Sequence, residues 1–298
     1  MHDSIFNLIC NIVRTGFIKW HRIQLFIDVL HMKAYLFDVD GVLTDPKEKR
    51  VTKPEFFDQI IAILQRGEPV GLNTGRSIAW LVERFITPLI QNIEDKSLLQ
   101  HFIAVGEKGG TWIIFDKEGN IHHEKMEELA ISQDVIKEAK VLVERKYNDS
   151  MFFDLTKETM LSIEMHDGFE LDMFHQRQKM LVEDLKQLLT KYKLQNIYHI
   201  DPTTIATDVE SPNVGKALGA DRFLKFLQEM KLEPQEFETF GDSKSDFGMS
   251  DELYRKGKQV RMIYVGDRSK FGESAREYPI DYVGEFSKGT LEYLEAHA

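Results

Sequence analysis

The sequence predicts an α/β fold: a parallel sheet with helices on both faces, interrupted by an inserted α+β unit. Three observations predict it. Short apolar runs, among them Ala34 to Phe37, Pro69 to Asn73 and Phe102 to Val105, alternate with segments of helical period, and a further strand is expected from Phe237 to Phe240, the pattern of strands buried on both faces. Over about residues 118–208 that pattern gives way to alternating strands and long amphipathic helices, as helices on one face of a small antiparallel sheet require. Finally, three runs end in a reactive polar residue: Phe37 leads into Asp38, Asn73 into Thr74 and Gly241 into Asp242. In a parallel sheet those ends share one edge, where open α/β sheets build their sites.

Composition narrows the possibilities. At 298 residues, 42% apolar and 29% charged, the chain is long enough for two domains and ordinary for a soluble globular protein. The net charge of -11, with no long basic block, argues against nucleic acid as a partner. An anionic substrate would then need a metal or local cations. The single cysteine, Cys10, admits no internal disulfide and fits a reducing, cytoplasmic setting.

Residues 1–31 are expected to form an N-terminal extension. Ile5 to Val13 is apolar but shorter than the ~20 residues of a membrane span, so no stable membrane insertion is expected. Met1-His2-Asp3-Ser4 lacks the positive charge of a signal peptide. An amphipathic helix lying on the body or on a membrane surface is one reading of this stretch. The preferred one is an appended segment, with Met32 standing where an initiator would stand before the first core strand.

Residues 32–117 and 209–298 are expected to form the core. Pro54 to Arg66 has an apolar stripe through Phe56, Phe57, Ile60 and Leu64, a proline suited to a first turn and Gly67 as a stop. Ile78 to Phe85 is expected to be a helix ended near Pro88. Glu107 to Gly110 and Lys117 to Asn120 are turns on either side of a strand from Thr111 to Phe115. In the inserted unit, 118–208, helices are expected over Ile131 to Tyr147 and Gln176 to Tyr192, the second facing inward through Met180, Leu185, Leu188 and Leu189. Leu161, Ile163 and Met165 alternate as a half-exposed strand should, and Phe152, Phe153, Leu161 and Ile163 are expected in that unit's core. Ile197 to Ile200 and Thr204 to Asp208 close it. The α/β pattern resumes with a helix from Gly215 to Met230, opening with Lys216, continues with a strand from Val260 to Val265, and ends with a helix from Ser287 to Glu295.

The chemistry gathers at the strand ends. Period-two geometry sends Asp38 and Asp40 the same way, and two like charges that close are costly unless a cation or proton intervenes. This pattern fits a metal site with a carboxylate nucleophile. A hard cation with oxygen ligands, magnesium, suits Asp38 and Asp242; no thiolate or histidine set for zinc is present. His166, Asp167, Asp172 and His175 are read as a polar edge of the inserted unit rather than a second metal site, and His122-His123-Glu124 as a solvated strand end.

These residues also carry a family resemblance. Asp38-Val39-Asp40-Gly41-Val42-Leu43-Thr44-Asp45 resembles the first motif of haloacid-dehalogenase-superfamily phosphatases. Thr74-Gly75-Arg76 resembles the second motif, Lys216 in Asn213-Val214-Gly215-Lys216 the third, and Gly241-Asp242-Ser243-Lys244-Ser245-Asp246 the fourth. Order and spacing agree over residues 34–250. Glu107-Lys108-Gly109 is similar to a Glu-Asn-Gly turn of the Cof-type, sucrose-phosphatase-like branch, with Lys108 departing from the usual Asn. That branch carries its cap between motifs two and three, where the inserted unit lies.

The resemblance implies a Rossmann-like core with an α+β cap. It implies a magnesium-dependent phosphatase that hydrolyses a small phosphorylated metabolite, a sugar phosphate, through an aspartyl-phosphate. Asp38 would be the nucleophile and Asp40 the acid and base. Thr74 would hold phosphoryl oxygens and Lys216 would neutralise charge. Gly41 and Gly75 would contact substrate, Arg76 would contact substrate or simply pair with an acid, and Asp38, Asp40, Asp242 and Asp246 would hold Mg2+. Two alternatives stand beside it: a phosphomutase of the phosphomannomutase kind, and a non-catalytic binding module on this fold. A monomer or homodimer is expected.

Overall fold

The structure is a computed structural model describing residues 32–46, 48, 50–271 and 275–297. The N-terminal extension expected over 1–31 lies outside the described residues. Its core is a mixed α/β layer structure on one eight-stranded sheet. In chain order the sheet's strands are β1 (Lys33–Phe37), β2 (Val70–Asn73), β3 (Phe102–Gly106), β4 (Thr111–Phe115) and β5 (Ile121–Lys125), then β10 (Glu236–Gly241), β11 (Gln259–Tyr264) and β12 (Ile280–Tyr282). Their spatial order is β12-β11-β10-β1-β2-β3-β4-β5. Neighbours from β12 to β3 pair in parallel, and β4 and β5 run antiparallel at one edge.

Strand alternation decides which helix packs where. From β1, Tyr35 and Phe37 face a core shared with the helix Glu55–Gln65 (α1) and the C-terminal helix Ser287–His297, whereas Ala34 and Leu36 face Phe223, Phe226 and Phe247 on the other side. Those phenylalanines come from the helices Lys216–Glu229 and Phe247–Arg255. Helices therefore cover both faces, as a sheet of two-sided apolar strands demands.

The expected stop near Pro88 is not observed. An α-helical turn over Ile78–Leu81 widens into a π turn over Val82–Ile86 and resumes as α over Thr87–Asn92. The proline falls at the start of the resumed segment, where its ring and missing N–H are tolerated.

The chain leaves the large sheet after β5 and builds a second, antiparallel sheet from β6 (Met151–Phe153), β7 (Leu161–Met165), β8 (His199–Pro202) and β9 (Ala206–Glu210), in the order β6-β7-β9-β8. The helices Gln133–Lys146 and Leu171–Lys191 pack on it through Val135, Ala139, Phe174, Leu181 and Leu185. Both expected boundaries of this unit move. β5, expected inside it from 118 onward, pairs with β4 in the large sheet, and Val209 and Glu210, expected in the core, belong to β9. β5 reads Ile-His-His-Glu-Lys and is exposed throughout, so its place in the ladder leaves no apolar signature.

Two further expectations change. Met180 is 63% exposed and Leu181 is the buried member of that turn, because one residue rotates a helical side chain by about 100°. Phe152 is 40% exposed while Leu161 and Ile163 are buried. Among the described residues, no helix is long and apolar enough to cross a membrane.

Candidate active site

Sheet order brings the polar strand ends together. β1 lies between β10 and β2, so Asp38, Asp242 and Thr74 leave adjacent strands at one edge. The Asp38 N–H donates to the Phe240 carbonyl at 2.9 Å and the Thr74 N–H to the Val105 carbonyl at 3.0 Å. Both side chains are buried.

Lys216 is the central cation. Its Nζ donates to Asp38 Oδ1 at 2.5 Å and to the Asn73 carbonyl at 2.6 Å, and pairs with Asp246 Oδ1 at 2.9 Å. Asn73 Nδ2 returns a bond to the Lys216 carbonyl at 2.8 Å, fixing the helix start to the end of β2. Burial opposes the Lys216 charge, but Asp246 and Asp38 outweigh it and hold the ammonium protonated well above its usual range. Asp246 is fully buried; its Oδ2 accepts the N–H of Asp242 at 3.1 Å and both the N–H and the hydroxyl of Ser243 at 2.9 and 2.7 Å. That carboxylate shapes the loop that presents Asp242.

Asp38, Asp242 and Asp246 form a group whose ligand oxygens lie within 4.8 Å of one another. Burial, then Asp246, pushes the Asp242 carboxyl up to about 6. Burial also raises Asp38, with Lys216 opposing and Asp246 and Asp40 adding to the rise. Three carboxylates around one ammonium leave negative charge in excess. A divalent cation with oxygen ligands fits that donor set and relieves the crowding. Gly41, at φ 76°, lets the loop after β1 pass this group: a Cβ there would stand 2.3 Å from Asp242 Oδ2.

Asp40 takes a different position from its three fellows. Its carboxylate is gripped by Arg76, Nε to Oδ2 and Nη2 to Oδ1, both at 2.9 Å, and it is not in the group of converging carboxylates. Arg76 stacks over Trp80, 4.9 Å from the ring centre. Thr74 Oγ1 accepts the Arg76 N–H at 3.1 Å, which leaves the threonine proton free to point elsewhere. Gly75 lines the same cleft, and its carbonyl accepts from Lys157 at 2.5 Å.

Two residues beyond the expected set join the core to the insert. Glu107 is fully buried, and its carboxylate accepts the N–H groups of Glu158 and Thr159 and the Thr159 hydroxyl, the two Thr159 bonds at 2.8 Å. Burial pushes its carboxyl up while those bonds oppose the rise. Lys108 reaches Glu210 at 2.7 Å, Asp208 at 3.2 Å and Asp201 at 3.4 Å. Burial works against its charge, but the three acids together hold it above its usual range. The sequence signal for Lys108 was its departure from the resembled turn. For Asp201 and Glu210 the signal was weaker: acids on two strands that pair only in three dimensions. His166 and His175 bond the carbonyls of Asn148 and Thr204 and form no metal-binding group among the described residues.

A cavity of about 630 Å³ lies between these elements, lined by Asp38, Asp40, Thr74, Lys216 and Asp242 from the core and by Asp201, Thr203 and Glu210 from the insert.

The same fold occurs in several solved proteins. A Thermoplasma acidophilum protein aligns at TM-score 0.56 and 15% identity, over 89% of this chain and 98% of its own. The C-terminal domain of the C. albicans trehalose-6-phosphate phosphatase aligns at TM-score 0.60 and 14% identity, over 92% and 95%. A truncated Plasmodium falciparum IMP-nucleotidase aligns at TM-score 0.51 and 15% identity, over 91% and 72%. At such identities the likeness is one of fold. No protein-family model matches the chain, and no curated protein matches it.

Proposed function

We propose that the chain is a magnesium-dependent phosphatase of the haloacid-dehalogenase kind, hydrolysing a small phosphorylated metabolite, a sugar phosphate, through an aspartyl-phosphate. One observation carries this reading: the buried Asp38 carboxylate, with Lys216 on one oxygen, stands within ligand reach of Asp242 and Asp246 in the lining of the cleft. Phosphatase activity in two proteins of this fold is consistent with it, though fold alone never fixes function.

In this reading an Asp38 oxygen forms a bond to phosphorus as the ester P–O bond breaks, and the departing oxygen takes a proton from Asp40. Water then attacks the aspartyl-phosphate, gives its proton to Asp40, and phosphate leaves. Arg76 fixes where the Asp40 carboxyl points. Thr74 donates its hydroxyl proton to a phosphoryl oxygen, and Lys216 neutralises charge on Asp38 and the transferring group. Asp38, Asp242 and Asp246 would hold Mg2+, which when bound supplies charge stabilisation to the phosphoryl oxygens. The insert, as a cap, would exclude water from the cleft.

The test is phosphate release from 4-nitrophenyl phosphate with magnesium and after chelation, followed by a panel of phosphorylated sugars. Chelation is expected to remove at least about 10²-fold of the rate, the scale of several kcal/mol of metal stabilisation. Full activity after exhaustive chelation would sink the metal-dependent reading. Gly41→Ala gives a second check. The added methyl displaces Asp242, and a misplacement of about 1 Å costs on the order of 10²-fold. We expect that loss in kcat together with a raised magnesium requirement; an unchanged magnesium titration would contradict it.

A further inference from the structure

The wall that the insert contributes to the cleft is acidic by construction. Asp201 on β8 lies directly opposite Asp208 on β9, and Glu210 follows two residues later on the same strand face. Like charges directly opposite in a ladder are unfavourable. Relief comes from the core, through the Lys108 ammonium that all three acids share. Lys108 is anchored from behind: its N–H donates to the Thr74 carbonyl at 2.9 Å and its carbonyl accepts the Gly215 N–H at 2.7 Å. The cation is thus tied to the loops that carry Thr74 and Lys216. One ammonium against three carboxylates leaves negative charge in excess, and Asp201, Glu210 and Lys108 line the cavity that holds Asp38 and Asp40.

We propose that this wall selects phosphomonoesters whose remaining part is uncharged or cationic and rich in hydroxyl or ammonium donors, and rejects those carrying a second anion. The inference rests on the phosphatase reading above. Carboxylate oxygens take charge-assisted hydrogen bonds from such donors. A second phosphate or carboxylate meets like charge instead, the repulsive half of specificity. The cavity volume of about 630 Å³ leaves room for a sugar-sized body beside the phosphoryl group.

The test uses the full chain with magnesium, hydrolysis of 4-nitrophenyl phosphate as reporter, and three matched competitors. Glucose 1-phosphate has a neutral body, glucosamine 1-phosphate adds an ammonium and glucuronic acid 1-phosphate adds a carboxylate, all on the same pyranose ring. We expect glucuronic acid 1-phosphate to inhibit at least about tenfold more weakly than glucose 1-phosphate, with glucosamine 1-phosphate equal or tighter. Asp201→Asn, at a half-exposed position, is expected to narrow that gap. Lys108→Met, which removes the cation, is expected to widen it. Opposite movements mark charge selection, whereas a damaged cap would weaken all three competitors together. His199, Asp201 and Glu210 also bring ligand atoms within 4.8 Å of one another; a divalent ion held there would recruit a second anion and invert the order. Equal or absent inhibition, an inverted order, or the same direction of change in both variants overturns the proposal. If the reporter is not hydrolysed at all, the phosphatase reading fails, and the binding order of the three sugars by calorimetry still decides the wall.

Discussion

Asp38→Asn is expected to abolish turnover, by about 10⁴–10⁶-fold, the scale seen when a covalent nucleophile is removed. The amide has the shape of the carboxylate and its oxygen still accepts from Lys216, which also keeps Asp246 at 2.9 Å and the Asn73 carbonyl at 2.6 Å. The fold should therefore survive, with thermal unfolding close to that of the parent chain. What disappears is the anionic oxygen that bonds to phosphorus. Acid-quenched protein incubated with labelled substrate should carry phosphate in the parent and none in the variant. Asp40→Asn separates the roles. It should cost about 10²–10⁴-fold in turnover on sugar and aryl phosphates alike, because Asp40 also takes the proton of the attacking water. With an aryl phosphate, whose leaving group needs no proton, the first step should survive and labelled phosphate should accumulate on the protein. An Asp38→Asn protein that still turns over would end the covalent proposal, whatever the behaviour of Asp40.

Much of the architecture was legible because buried parallel strands are written as apolar runs. β1, β2 and β3 are mostly apolar on both faces, and their ends, like those of β10 with its buried Glu238 and Thr239, could be located to within a residue or two. That placed Asp38, Thr74 and Asp242 on one edge before any geometry was known. Lys216 was legible as the opening of an amphipathic helix. Elements with no apolar signature were not legible: β5 is an exposed edge strand of polar residues, and β12 is three residues long. Side-chain pairing was hidden for a different reason. The grip of Arg76 on Asp40 depends on loop paths, and Lys108 meets acids 93 to 102 positions away. Periodicity carries no information about partners so distant. Lys108, where the chain departs from the resembled turn, places its ammonium on Asp201, Asp208 and Glu210 across the cleft, and a local motif cannot express that.

Lys216→Met is expected to be the most damaging change to stability as well as to activity. The ammonium is the shared partner of Asp38 and Asp246, and both carboxylates are buried. Removing one member of a buried charged network leaves the others uncompensated, typically a loss of about 3–5 kcal/mol. For a chain of this size that is roughly 5–8 °C in Tm. The sign of the pH dependence follows from the carboxyls. Asp38 is already raised by burial, with Lys216 the main opposing influence. Without that cation it rises further, so the folded variant binds more protons than the unfolded chain, and its stability falls as pH increases. The Tm deficit should therefore be larger at about pH 8 than at about pH 5. Magnesium should recover part of it at the higher pH, because Asp38, Asp242 and Asp246 can share a divalent ion in place of the lost ammonium. Lost transition-state stabilisation should lower kcat by about 10²–10³-fold even when magnesium has restored the fold. A deficit that is equal at both pH values and indifferent to magnesium would mean that Lys216 only fills space, and the charge balance assigned to this cleft would be wrong.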